Sequence, residues 1–170
     1  MTRHGSRMTP YRIRPAERND LDWLVRCNAA MALETEDKRL DAETLHAGID
    51  VGLADAGKAR YFIAMQDATL AGAETIGVPV GTLMLTTEWS DWRNGHWWWI
   101  QSVYVMPDHR RQGAFAALYS HIEKLARGTD GVIGLRLYVE RENENAMATY
   151  SALGMRDAGY RLFESEFSIA

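Results

Sequence analysis

Five consecutive residues, Arg110-Arg111-Gln112-Gly113-Ala114, set formal positive charge and one glycine just ahead of a stretch that reads as a helix. The first turn of a helix carries N–H groups with no internal partner, and the aligned peptide dipoles add partial positive charge there. Gly113 lets the backbone come close to a bulky anion, and Arg110 and Arg111 add charge, so the turn suits a pyrophosphate. The competing reading is an ordinary surface turn with solvated arginines. A second cluster is aromatic and acidic: Trp89, Asp91 and Trp92 share the polar connection EWSDWRNG. They could form a cup for a cation, or cover a core edge, or make a dimer surface. His46, His96, His109 and His121 lack metal-ligand spacing and read as surface or packing residues, so no metal is expected.

The elements that must position these groups follow from periodicity. Val103-Tyr104-Val105 are strand formers and Pro107 ends the ladder, while Phe115, Leu118, Ile122 and Leu125 recur at helical spacing. Lys124, Arg127 and Gly128 form the helix stop. Before this unit, Met1–Pro10 is polar and unpatterned and reads as a disordered extension, and Tyr11–Arg14 is a short strand closed by Pro15. Asn19 or Asp20 caps a helix carrying Leu21, Leu24, Val25 and Met31, followed by an acidic loop with Glu34, Glu36 and Asp37. Asp41 caps a second helix with Leu45, Ile49 and Leu53 inward, which Gly48 and Gly52 weaken by about 1 kcal/mol each.

Strands are expected at Tyr61–Met65 and Val78–Thr87, joined through Gly72 and Gly77, then at Trp97–Val105 and Val132–Val139. Alternation turns Trp98 opposite to Trp97 and Trp99, so at least one of these rings should be buried. Asn143 caps a helix carrying Met147, Tyr150 and Leu153 that Gly154 ends, and Tyr160–Phe167 is a last strand. The order β-α-α-β-β-β-α-β-α-β describes a mixed α/β domain over residues 11–170, with no repeat or linker.

Composition narrows the classes. The chain has 170 residues, 46% hydrophobic and 25% charged, enough for one domain with a full core. A net charge of −4 does not favour a nucleic-acid partner. Cys27 is the only cysteine, which excludes an internal disulfide. No apolar run approaches the ~18 residues of a membrane span, so a soluble cytoplasmic protein is expected.

Two motifs then carry a resemblance over most of the chain, roughly Tyr11–Phe167. Arg110-x-x-Gly113-x-Phe115 resembles the acyl-CoA pyrophosphate loop of the GNAT superfamily of N-acetyltransferases, with Phe115 where that family usually has glycine or alanine. Asn143-x-x-Ala146-x-x-x-Tyr150-x-x-x-Gly154-Met155 resembles that family's asparagine–alanine–tyrosine helix. The resemblance implies a central mixed, mostly antiparallel sheet flanked by about four helices. It implies acetyl-CoA as co-substrate, with the Val103, Tyr104 and Val105 backbone beside the pantetheine arm. Amides of Arg111, Gln112, Gly113, Ala114 and Phe115, with Ala116 next, would hold the pyrophosphate. Asn143 would contact the cofactor and Tyr150 would protonate the leaving thiolate.

The reaction so implied is direct acetyl transfer to a primary amine. An alkylamine with a pKa of ~10.4 must lose a proton before it attacks, and a thiolate with a reference pKa of ~8.5 must leave. Glu88 is the first candidate base, with Glu34, Glu36 and Asp91 as rivals; Glu36, Trp89, Trp92 and Gln101 are candidate acceptor contacts. The acceptor would be a small-molecule or peptide amine, and the aromatic strand region would also suit a homodimer. The competing class is a binding module that keeps the acyl-CoA cleft without catalysis. A nucleotide-phosphate enzyme would need the G-x-x-x-x-G-K-[ST] lysine and hydroxyl, which this turn lacks.

Overall fold

The computed structural model describes residues 11–69 and 75–167, so the expectations for Met1–Pro10 and for Gly72 lie outside the described residues. The chain divides into two compact units, Met1–Leu137 and Tyr138–Ala170. In the first, five strands stand in the order β1-β2-β3-β4-β5. They are β1 (Tyr11–Pro15), β2 (Arg60–Thr69), β3 (Thr75–Ser90), β4 (Gly95–Val105) and β5 (Val132–Leu137). All neighbours are antiparallel except β4 and β5, which run parallel.

Three helices pack on this sheet: α1 (Leu21–Glu36), α2 (Ala42–Ala54) and α3 (Ala114–Arg127). Tyr61 and Phe62, neighbours on β2, point to opposite faces. Tyr61 joins Leu24 and Ile49 of α1 and α2 in one core cluster, and the Phe62 ring lies 5.8 Å from His121 of α3. The sheet is therefore covered on both sides. Its most buried side chains include Leu24, Ile63, Leu83, Leu85, Leu118 and Ile122. Trp98 is 3% exposed, as alternation requires.

Several local expectations need correction. Glu34 and Glu36 lie in the last turn of α1, and the helix stops one residue later at Asp37, in left-handed backbone with φ 51°. Glutamate is a good helix former and no breaker precedes Asp37. The two central strands extend through Thr69 and from Thr75, because a bulge at Ala64/Met65 absorbs Pro79 inside β3. On α3, Leu125 is 39% exposed and Phe115 half-buried, and the inward stripe is filled by Ala114, Ala117, Leu118, Tyr119, Ile122 and Ala126. Alanine carries little periodic signal, which hid the true centre of that face.

The second unit holds α4 (Glu144–Ala152). β5 stops at Leu137, two residues short of the expected end, and the last strand expected at Tyr160–Phe167 does not form: among the described residues no strand lies beyond Leu137. Tyr160, Phe163 and Phe167 are instead 86–88% exposed. Alternating apolar residues define a face, but a strand also needs a partner edge to take its N–H and C=O groups. Among the described residues no helix is long and apolar enough to cross a membrane.

One close approach gives a stability prediction. Gly134 of β5 sits under the Trp97 ring, and an added Cβ would lie 2.5 Å from it. Gly134→Ala should therefore destabilise the fold by about 1–3 kcal/mol through overpacking. Urea unfolding checks this, and a change below about 0.5 kcal/mol would contradict the stated contact.

Candidate functional site

β4 outruns its parallel partner. Its pairing with β5 runs from His96↔Val132 to Ile100↔Leu137, leaving Gln101–Val105 with β3 alone beside them among the described residues. At that point the β3 register jumps from Leu85↔Ile100 to Met84↔Ser102, so Gln101 is an extra, bulged residue. The Met106 amide donates to Val80 O of β3, at 2.8 Å. Alternation then turns the backbone groups of Val105 and Val103 away from β3, toward the unpaired edge. An extended chain could add there through main-chain hydrogen bonds.

The edge leads into the basic turn. Pro107–His109 form one 3-10 turn, Arg111 takes a left-handed conformation with φ 58°, and Gly113 follows with φ 91°. Gly113 is the N-cap of α3 and supplies no side-chain cap, and a Cβ built on it meets nothing within 4 Å. The opening amides of Ala114, Phe115 and Ala116 thus face an open approach beside a positive helix end. The Phe115 ring lies 6.2 Å from that of Tyr119, down the helix and away from the turn. Gln112 donates from Nε2 to Asp108 O at 2.7 Å, bracing the turn.

The two arginines part company. Arg110 donates through Nε to Val105 O at 2.9 Å and through its terminal nitrogen to Glu34, and its guanidinium lies 5.4 Å from the Tyr104 ring centroid. The Tyr104 hydroxyl donates to the other Glu34 oxygen at 2.9 Å. Arg110, Glu34 and Tyr104 therefore clamp the end of α1 to the end of β4. Arg110 first, then Tyr104, holds the Glu34 carboxyl below the usual carboxylate range. Arg111 is exposed, and its side chain makes no hydrogen bond or ion pair among the described residues.

Between α1 and the bulged part of β4 lies an open cavity of about 390 Å³. Asn28, Met31, Thr35, Glu36, Lys38, Gln101 and Val103 are among its walls. Glu36 and Gln101, both expected at an acceptor site, are thus brought together, with Gln101 donating from Nε2 to the Thr86 hydroxyl at 2.9 Å. A second cavity of about 390 Å³ lies between α2 and the sheet and shares the walls Asn28 and Leu40.

The remaining candidates lie elsewhere. Glu88 is paired with Trp97, four residues from Gln101 and so about 13 Å along the strand. Arg136 donates to one of its oxygens at 2.7 Å and the Trp99 indole N–H to the other. The Arg136 guanidinium also lies 4.2 Å from the Trp97 ring centroid. A carboxylate with both oxygens engaged at that distance is placed to organise the aromatic end of the sheet. Trp89 is on the opposite face from Glu88 by alternation and packs on His96 at 4.9 Å, while Trp92 is 89% exposed. Asp91 accepts from the Trp92 amide at 2.8 Å.

In the second unit, Asn143 caps α4 by accepting from the Ala146 amide at 3.0 Å. Burial raises the Tyr150 hydroxyl above the ordinary phenol range, so it stays protonated at neutral pH. Sequence reasoning missed Arg136 and the side-chain role of Tyr104. Both depend on partners 48 and 70 residues away in the chain, which periodicity does not reveal.

A family model described as Acetyltransferase (GNAT) family matches residues 23–155. Among solved structures, a possible acetyltransferase from Clostridium difficile 630 is 39% identical, with a TM-score of 0.82 over 94% of this chain and 99% of that one. AAC(6')-Iy in complex with the bisubstrate analogue CoA-S-monomethyl-acetylneamine is 16% identical, with a TM-score of 0.69 over 93% and 99% of the two chains. A ribosomal-protein-alanine N-acetyltransferase from Brucella melitensis biovar Abortus 2308 is 17% identical, with a TM-score of 0.66 over 92% and 99%. No curated protein matches the sequence. At such low identity the last two structures speak for the fold alone.

Proposed function

This chain belongs to the acetyltransferase (GNAT) family, and on that premise we propose that residues 11–170 transfer an acetyl group from acetyl-CoA to a primary amine by direct attack in a ternary complex. The observation that carries the reading is the β4 edge at Val103–Val105, on the side away from β3, running into the uncapped start of α3 at Gly113. Among the described residues no strand pairs that edge, and only the Val105 carbonyl is taken, by Arg110. An extended pantetheine arm would add to that edge, and the pyrophosphate would settle on the opening amides of α3. AAC(6')-Iy, of similar fold, was crystallised with a coenzyme A bisubstrate analogue.

The acceptor amine enters the cavity beside Gln101. Glu36, whose side chain makes no hydrogen bond or ion pair among the described residues, attracts the ammonium group and takes its proton, directly or through water. Holding both reactants in one cleft lowers the barrier by several kcal/mol. The match to the family's helix makes Tyr150 the proton donor to the departing thiolate, and Asn143 a residue toward the cofactor. The Tyr150 hydroxyl, raised by burial, carries its proton at neutral pH and so has one to give.

Calorimetry with coenzyme A, followed by a thiol-release assay over a panel of amines, tests the reading. Expected are heat of binding and turnover on at least one amine; tight binding with no turnover on any would favour the non-catalytic sensor. Tyr150→Phe should lower kcat about tenfold with coenzyme A affinity unchanged. Unaltered kcat would remove Tyr150 from the acid role.

A further inference from the structure

Gly48 is a glycine that neither strain nor packing explains. It lies in the middle of α2, where glycine disfavours the helix, and its φ is not positive. A Cβ built there meets nothing within 4 Å. Gly52, one turn on, is different: its Cβ would meet the Tyr61 ring at 3.1 Å, so packing accounts for it. What Gly48 does is line the second cavity, on the helix stripe shared with Thr44 and Leu45. Leu40, Leu45, Ile49, Tyr61 and Met84 supply the rest of a mainly apolar wall.

Resting on the acetyl-transfer reading, we propose that the acceptor is a monoamine carrying an apolar group, which occupies this cavity, and that Gly48 sets the space available to it. The two cavities share Asn28 and Leu40 as walls, and we place the amine beside Glu36 with the apolar tail passing these two residues to lie beneath α2. The charge pattern limits the acceptor to one cation. The first cavity presents one carboxylate, Glu36, and one ammonium, Lys38. The second adds the Asp41 carboxylate, which stays charged while one oxygen accepts from the Thr44 amide at 2.8 Å, so the two cavities together carry one net negative charge and balance a single ammonium. A polycationic acceptor would meet Lys38 with too few partners.

The test compares ethylamine, hexylamine and spermidine on wild type, Gly48→Ala and Gly48→Leu. Each buried methylene multiplies binding by about fourfold, so hexylamine, with four more methylenes, should exceed ethylamine in kcat/KM by about 250-fold, with spermidine below hexylamine. Gly48→Leu should raise KM for hexylamine at least tenfold and for ethylamine less than twofold, with Gly48→Ala between. Both variants should melt no lower than wild type, because space and helix propensity favour a side chain there. Hexylamine kinetics unmoved by Gly48→Leu, or a preference for spermidine, would overturn the proposal. Calorimetric titration with hexylamine separates this from the reading beneath it. Hexylamine that binds wild type and not Gly48→Leu, with no acetyl transfer, would remove the transfer reading and keep the cavity.

Discussion

Gly113→Asp should weaken coenzyme A binding by 100-fold or more while destabilising the fold by only about 1–2 kcal/mol. A non-glycine residue at φ 91° costs roughly 1–2 kcal/mol, and an aspartate N-cap returns only about a few tenths of a kcal/mol relative to glycine. Gly113 offers no such cap, and its open approach is the property an anionic ligand would use. A carboxylate placed there occupies the amides that would hold the pyrophosphate and repels its charge. Calorimetry with coenzyme A and a urea melt on the same preparations read both effects. A variant that folds and still binds with wild-type affinity would move the pyrophosphate away from the start of α3.

Where local chemistry decides, the sequence was informative. Asn143 and Gly154 bounded α4, Gly128 ended α3, and the period-2 pattern buried Trp98. These signals act within a few residues, through caps, left-handed turns and alternation. The strand expected at Tyr160–Phe167 had the right pattern and lacked a partner edge, a matter of tertiary pairing. The candidate site divides the same way. The glycine turn and Glu36 were legible, but Glu88 looked free only because Arg136, 48 residues on, cannot be placed opposite it without knowing that β5 lies beside β4. Likewise the aromatic connection stayed open between a cation cup, a core cover and a dimer surface, because alternation across the β3–β4 hairpin puts Trp89 on a face that composition does not specify.

Arg111→Ala should weaken coenzyme A binding about fifty-fold and Arg110→Ala less than threefold, although Arg110 is the motif residue. Arg110 is already held by two of its five donors, on Val105 O and Glu34, and releasing it toward a phosphate would break both bonds and strip Glu34 of a charge partner. Arg111, exposed on left-handed backbone two residues before Gly113, has donors available. A charge-assisted hydrogen bond to a phosphate is worth about 1.5–3 kcal/mol, which brackets the fifty-fold loss. Removing Arg110 should act on the acceptor side instead: with the clamp between α1 and β4 opened, KM for the amine should rise about tenfold. Its pH dependence has a definite sign. Glu34 is held below its ordinary pKa, so the clamp is complete above the ordinary carboxylate range and lost as pH falls through the lowered value. Wild type and Glu34→Gln should therefore differ in amine KM at neutral pH and converge in acid. Titrations of coenzyme A at two salt concentrations, with amine KM measured beside them, decide the matter. A larger loss of coenzyme A affinity in Arg110→Ala than in Arg111→Ala would return Arg110 to the phosphate.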